Sequence, residues 1–250
     1  MKSNSATGSD PATATRRRAR LIAGYLAAGL LSAPFRLWGA ESADTWHLDR
    51  QEDGIAVYSR AVEGSQVRAI RAEADIAAAF GDTVALLLDA PMRPAWDEIC
   101  AEATVVRRVS DREDLIYVHN DLPWPVSDRD MLLRRHWSIA ADGSRAQIRA
   151  AAAEDGPPPM AGRVPVRQAD GVWTVQRTGV ASVHLSTVVH AEPGGPIPAW
   201  LTNALSVQGP YNALRNIRHL LESGAYPPAG LDPGGERLHP IGGPQARIVP

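Results

Sequence analysis

The chain has 250 residues, with 26 Lys and Arg against 28 Asp and Glu, and a single cysteine. That balance offers no basic patch to a polyanion, so nucleic acid is not an expected partner. One cysteine excludes an internal disulfide and a cysteine-built metal site, which leaves stability to a hydrophobic core.

Met1 to Thr15 is small and polar, and is followed by Arg16, Arg17, Arg18 and Arg20 and then by the apolar run Leu21 to Leu31. This is the order of a secretory signal peptide. The run is shorter than the roughly 20 residues that span a bilayer, and Pro34 and Arg36 interrupt it. Ala40-Glu41-Ser42 places small residues where a signal peptidase reads. Residues 1–42 are therefore predicted to be a cleaved leader, and the mature chain to be exported to the periplasm. Thr15-Arg16-Arg17-Arg18 keeps a twin-arginine route open, and an uncleaved anchor is the alternative. Loss of residues 1–42 leaves 20 basic against 26 acidic residues.

Ile55 to Arg60 and Gln66 to Ala74 alternate as strands around Glu63-Gly64-Ser65, which predicts a β-hairpin. Ile76 to Leu88 carries Phe80, Val84, Leu87 and Leu88 at helical spacing, and Asp89-Ala90-Pro91 ends that helix. A loop over Arg93-Pro94-Ala95-Trp96-Asp97 leads to strand-like runs at 103–109, 115–122, 131–140, 146–152, 163–168, 171–176 and 179–190. Asp111-Arg112-Glu113-Asp114, Asp142-Gly143 and Ala169-Asp170-Gly171 read as turns, so the runs form an antiparallel meander. Ile197 to Ser223 reads as a helix kinked at Gly209-Pro210. Residues 43–223 are one domain, and 224–250, rich in Pro and Gly, read as a disordered tail. The fold class is α+β: a curved antiparallel sheet wrapped around a long C-terminal helix, with a concave space between them.

Within the meander, Trp124-Pro125-Val126-Ser127-Asp128-Arg129-Asp130 leads into Met131-Leu132-Leu133-Arg134-Arg135-His136-Trp137. Alternation places Met131, Leu133, Arg135 and Trp137 on one face and Leu132, Arg134 and His136 on the other. Whichever face turns inward buries an arginine, and a buried guanidinium needs a partner or a ligand.

Six stretches in this order resemble the START domain, the lipid-transfer domain related to steroidogenic acute regulatory protein, from about Trp46 to Leu221. They are Asp53 to Arg60, Arg93 to Asp97, Trp124 to Asp130, Gly171 to Val175, His190 to Asn203 and Pro210 to Arg218. The resemblance implies a helix-grip fold with an internal tunnel for one lipid and with no cofactor or metal. It places the cavity arginine six residues beyond Arg129, at Arg135, and seeks its acidic partner on the preceding strand. There Asn120, His119 and Asp121 are the candidates, with Asp97, water or an anionic ligand serving if the partner is neutral. Asp128-Arg129-Asp130 is assigned to positioning the strand. The inward face of the last helix is read as Trp200, Leu201, Ala204, Leu205, Gln208 and Tyr211.

The lipid-binding residues are thus expected to be Arg135, Asn120, His119, Asp97 and those six helix residues. No metal-binding or nucleophile motif is present, and no catalytic residue is assigned. An alternative is a helix-grip cyclase or hydrolase acting on a hydrophobic or aromatic substrate, with His119, Asp121 and Tyr117 as an acid–base group. The expected function is to carry or hold one hydrophobic lipid between membranes, as a monomer with transient membrane contact.

Overall fold

The sheet begins with a strand that no hydrophobic pattern announces. His47–Glu52 forms β1, whose residues are all exposed or half-exposed, and it pairs antiparallel with β2, Ile55–Arg60. The connection is Asp53-Gly54, with φ of 51° and 71°. Two consecutive left-handed residues are what a two-residue hairpin turn requires. The computed structural model describes residues 45–195, 197, 198, 201, 202 and 204–226. The expected leader, residues 1–42, lies outside them, as does most of the expected tail.

The predicted hairpin of β2 with β3, Ala69–Ile76, is present in antiparallel register. Helix α1 runs over Phe80–Leu88 and buries Phe80, Thr83, Val84, Leu86 and Leu87. It starts later than its periodicity suggests, because Ile76 is still in β3. Where a loop was expected, a 3₁₀ turn at Ala90–Met92 leads into a short helix, α2, at Arg93–Trp96.

The meander follows as β4 (Cys100–Ser110), β5 (Glu113–Asn120), β6 (Arg129–Ile139), β7 (Arg145–Ala152), β8 (Val164–Pro165), β9 (Gln168–Gly179) and β10 (Ser182–Glu192). The order across the sheet is β1-β2-β3-β10-β9-β7-β6-β5-β4. Two assigned turns are corrected, because Glu113-Asp114 lies within β5 and Ala169-Asp170-Gly171 within β9. β8 has only two residues and pairs in parallel with β6, against the all-antiparallel expectation. Gly194, at φ 73°, packs so closely on β8 that a Cβ there would lie 2.7 Å from the Pro165 carbonyl oxygen. A side chain at that position is excluded by both backbone and space.

The C-terminal helix, Gly209–Glu222, follows a π-helical turn at Ala204–Gln208. The change of winding falls at the predicted kink site, Gly209-Pro210. Tyr211, Leu214 and Ile217 enter one core with Ile55, Val57, Ile70, Ile76, Phe80, Trp96, Trp137 and Leu185. Polar contacts pin both flanks of the helix. Tyr211 Oη donates to Asp53 (3.0 Å) and Arg218 to the Asp53 carbonyl (2.7 Å), while Asn212 donates to Glu98 (2.7 Å). Gly224, Ala225 and Tyr226, assigned to the tail, instead close this helix: the Tyr226 N–H bonds the Leu220 carbonyl at 3.0 Å and its ring packs on the core.

Candidate functional site

Strands β5 and β6 run side by side, and their inward residues meet as cross-strand pairs. Asp114 faces Arg135, Ile116 faces Leu133, Val118 faces Met131, and Asn120 faces Arg129. An arginine therefore sits at each end of one apolar ladder, roughly 20 Å apart along β6 at about 3.4 Å per residue.

At one end the charge is fully matched. Arg135 Nε and Nη2 donate to the two oxygens of Asp114 at 2.9 and 2.8 Å, a bidentate pair with both residues buried. Nη1 and Nη2 also donate to the carbonyls of Leu87 (3.3 Å) and Leu88 (3.0 Å). Those carbonyls end α1 and have no partners within the helix, and the cation there complements the negative end of the helix dipole. Arg108, largely exposed, approaches Asp114 from the rim at 3.6 Å.

At the other end lies a cavity of about 250 Å³. Its walls are mainly apolar: Val67 and Ile70 beside β3, Ile99, Leu122, Met131, Val166, Val189 and Ala191, Pro193, Ile197 and Leu205. The polar lining is Arg68, Asn120, Arg129, Thr202 and Ser206, with no acid among the described residues. Arg129 is only 5% exposed. Its Nε donates to the Pro193 carbonyl (3.2 Å) and its Nη1 to the Ser127 carbonyl. It forms no ion pair among the described residues. Burial pulls its pKa down, and neighbouring Asp128 offsets this only in part. Opposite it, the Asn120 Oδ1 is buried with no hydrogen-bond partner among the described residues.

The two aspartates beside Arg129 face away from the cavity. Asp128 accepts from His119 (2.8 Å) and from the Leu122 N–H (3.3 Å), and the His119 bond is the main cause of its lowered pKa. Asp130 accepts from Tyr117 (3.2 Å) and from the Met160 N–H (2.8 Å), which ties down the segment that covers β6. These acids position the strand as expected, whereas Arg129 lines the cavity.

The expected site residues separate accordingly. Arg135 is inside, but its partner is Asp114, and it does not line the cavity; Asn120, His119 and Asp121 are not its partners. Asp97 is bound by Arg93 across one helical turn, at 3.0 and 2.9 Å, and so is unavailable to Arg135. His119 has the wrong strand parity, since the inward positions of β5 are the even ones, and Tyr117 is held by Asp130 and Arg163. Of the acid–base trio, His119 and Tyr117 are thus held by Asp128 and Asp130, and none of His119, Asp121 and Tyr117 lines the cavity. Asn120 and Leu205 line the cavity, and Leu201 is buried. Gln208 is exposed and bonded to Arg50 and Asn212, because i→i+5 winding through 204–208 displaces a stripe extrapolated at 3.6 residues per turn. Tyr211 is buried in the core, bonded to Asp53. Trp200 and the side chain of Ala204 lie outside the described residues. Cys100 is buried, and desolvation, partly offset by Arg93, pushes its thiol up to about 11, which leaves almost no thiolate at neutral pH.

Sequence reasoning missed Arg129 and Asp114. Parity carried a signal for the first: Arg129 is two residues before Met131, on the face assigned to Arg135.

A curved antiparallel sheet gripping a C-terminal helix beside an apolar cavity defines the helix-grip class. The START domain family model matches residues 35–224. The chain belongs to the START domain family. A solved STAR-related lipid transfer protein from Xanthomonas axonopodis is 36% identical with a TM-score of 0.65, and the match covers 72% of this chain and 99% of that one. An uncharacterized protein of Pseudomonas aeruginosa is 33% identical over 194 residues, which is 77% of this chain and 95% of that one. The phosphatidylcholine transfer protein of Bos taurus is 23% identical over 182 residues, 71% of this chain and 84% of that protein.

Because Asp114 and Arg135 are desolvated together, truncating one strands the other. Arg135→Met is expected to cost about 3–5 kcal/mol in urea denaturation, and Asp114→Leu with Arg135→Met together to recover most of that loss. Equal costs for the single and double variants would show that the pair itself is not what matters.

Proposed function

We propose that this protein binds one lipid in the cavity between the sheet and the C-terminal helix, and carries or holds it between membranes without chemical change. Family membership and the lipid-transfer relatives support lipid binding and transfer in general. The observation that carries the finer reading is the cavity itself, apolar along its walls and polar at Asn120 and Arg129. Apolar burial then supplies most of the affinity, on the order of 25 cal/mol per Å² of ligand surface removed from water, before the cost of association.

We place the membrane contact of a monomer at the loop 123–128, between Leu122 and Arg129, both of which line the cavity. Trp124 on this loop is 91% exposed. An exposed tryptophan next to a cavity suits the bilayer interface, where one part of the ring is buried and the other wet. No helix among the described residues is long and apolar enough to cross a membrane. The arginines and apolar run of residues 16–31 support export to the periplasm.

Purified protein is expected to release one lipid per chain on extraction and mass spectrometry, and to move a fluorescent lipid between vesicles. Trp124→Ala should slow transfer several-fold and leave occupancy unchanged; a lipid-free protein inactive in transfer would refute the carrier reading. N-terminal sequencing of the protein from a periplasmic fraction is expected to begin at Ala43. Recovery of the full-length chain from the cytosol would contradict export.

A further inference from the structure

We infer that the lipid held in this cavity is a single-chain lipid with an anionic head group, a carboxylate or a phosphate, seated on Arg129 and Asn120. This rests on the carrier reading above and assigns its ligand class. The two ends of the β5–β6 ladder form an internal comparison. Where Asp114 faces Arg135, the protein supplies its own counter-charge. Where Asn120 faces Arg129, the same cross-strand position holds a neutral amide, and among the described residues Arg129 is bonded only to two carbonyl oxygens. A buried guanidinium without an acid is costly, and an oxyanion brought by a ligand removes that cost while gaining charge-assisted hydrogen bonds.

Three further observations point the same way. Among the described residues the cavity lining holds two arginines, Arg68 and Arg129, and no acid, so its field favours a negative head group. Among the described residues the Asn120 Oδ1 is buried without a partner, an acceptor that the P–OH of a singly charged phosphate or a hydroxyl elsewhere on the head group satisfies, whereas an ionised carboxylate would have to be met by the Asn120 amide N–H. The volume, about 250 Å³, lies below the roughly 300–1,000 Å³ of ordinary small-molecule sites, which favours one chain over two.

Asn120→Asp provides the test, because it copies onto this end the pair already present at the other. Binding of decanoate, decyl phosphate and decanol is measured by calorimetry on the delipidated full chain and on the variant. Decanoate or decyl phosphate is expected to bind at least tenfold more tightly than decanol, the order expected of one charge-assisted contact. The tighter of the two anions identifies the source of the oxyanion. In Asn120→Asp the preference for the anion over decanol should be lost. Arg129→Gln should lose the same preference, with thermal melting as the check on folding. Equal binding of all three probes, or a preference that survives Asn120→Asp, overturns the head-group assignment and leaves lipid carriage standing. Failure to bind any of them, in a protein that also moves no lipid between vesicles, removes both.

Discussion

The buried pair of Asp114 and Arg135 is the constraint around which this structure is organised. It joins β5 to β6 by a bidentate contact and β6 to the end of α1 through the Leu87 and Leu88 carbonyls. One side chain thereby ties the sheet to the first helix at a place with little water to satisfy either group. Such a pair adds modest net stability but penalises any arrangement that separates its members. A one-residue slip of β5 against β6 would turn Asp114 outward and leave Arg135 uncompensated, so the pair also opposes such a slip. That same register brings Asn120 opposite Arg129 at the cavity.

The apolar rungs between the two ends, Ile116 with Leu133 and Val118 with Met131, separate a charge that the protein neutralises from one that it does not. The segment after β10 completes the second end, since Gly194 lets Pro193 approach β8 closely enough for its carbonyl to accept from Arg129. The aspartates on either side of Arg129 are held on the other face by His119, the Leu122 N–H, Tyr117 and the Met160 N–H. Neither is free to turn inward. The site thus consists of a positive group whose neighbouring acids are bonded on the other face of the strand.

Much of the architecture was legible from alternation and breakers. The β2–β3 hairpin, the end of α1 at Asp89 and the long meander stand near their expected places, and the helix changes its winding at the expected kink site, Gly209-Pro210. β1 was not read because neither of its faces is buried, although Asp53-Gly54 is a strong hairpin signal. Asp114 was lost because four polar residues, 111–114, were given to a turn that uses two: Ser110 pairs with Glu113, so Asp111-Arg112 alone form the loop. Neither has the positive φ that would invite a glycine there, so composition did not mark where the turn stopped. With Asp114 out of the strand, the partner of Arg135 was sought at Asn120, at the wrong end of the ladder. The alternation was begun at Met131 and not extended back to Arg129, which shares its face; and parity does not reveal which of two inward arginines has an acid across from it.

A crystal structure of the protein with a bound single-chain anionic lipid would show which arginine receives the head group. The oxyanion is expected within hydrogen-bonding distance of Arg129, with the Asp114–Arg135 pair intact and the chain along Ile70, Met131 and Val189. A head group seated on Arg135 with its bond to Asp114 broken, or held only at the rim by Arg68, would contradict this expectation.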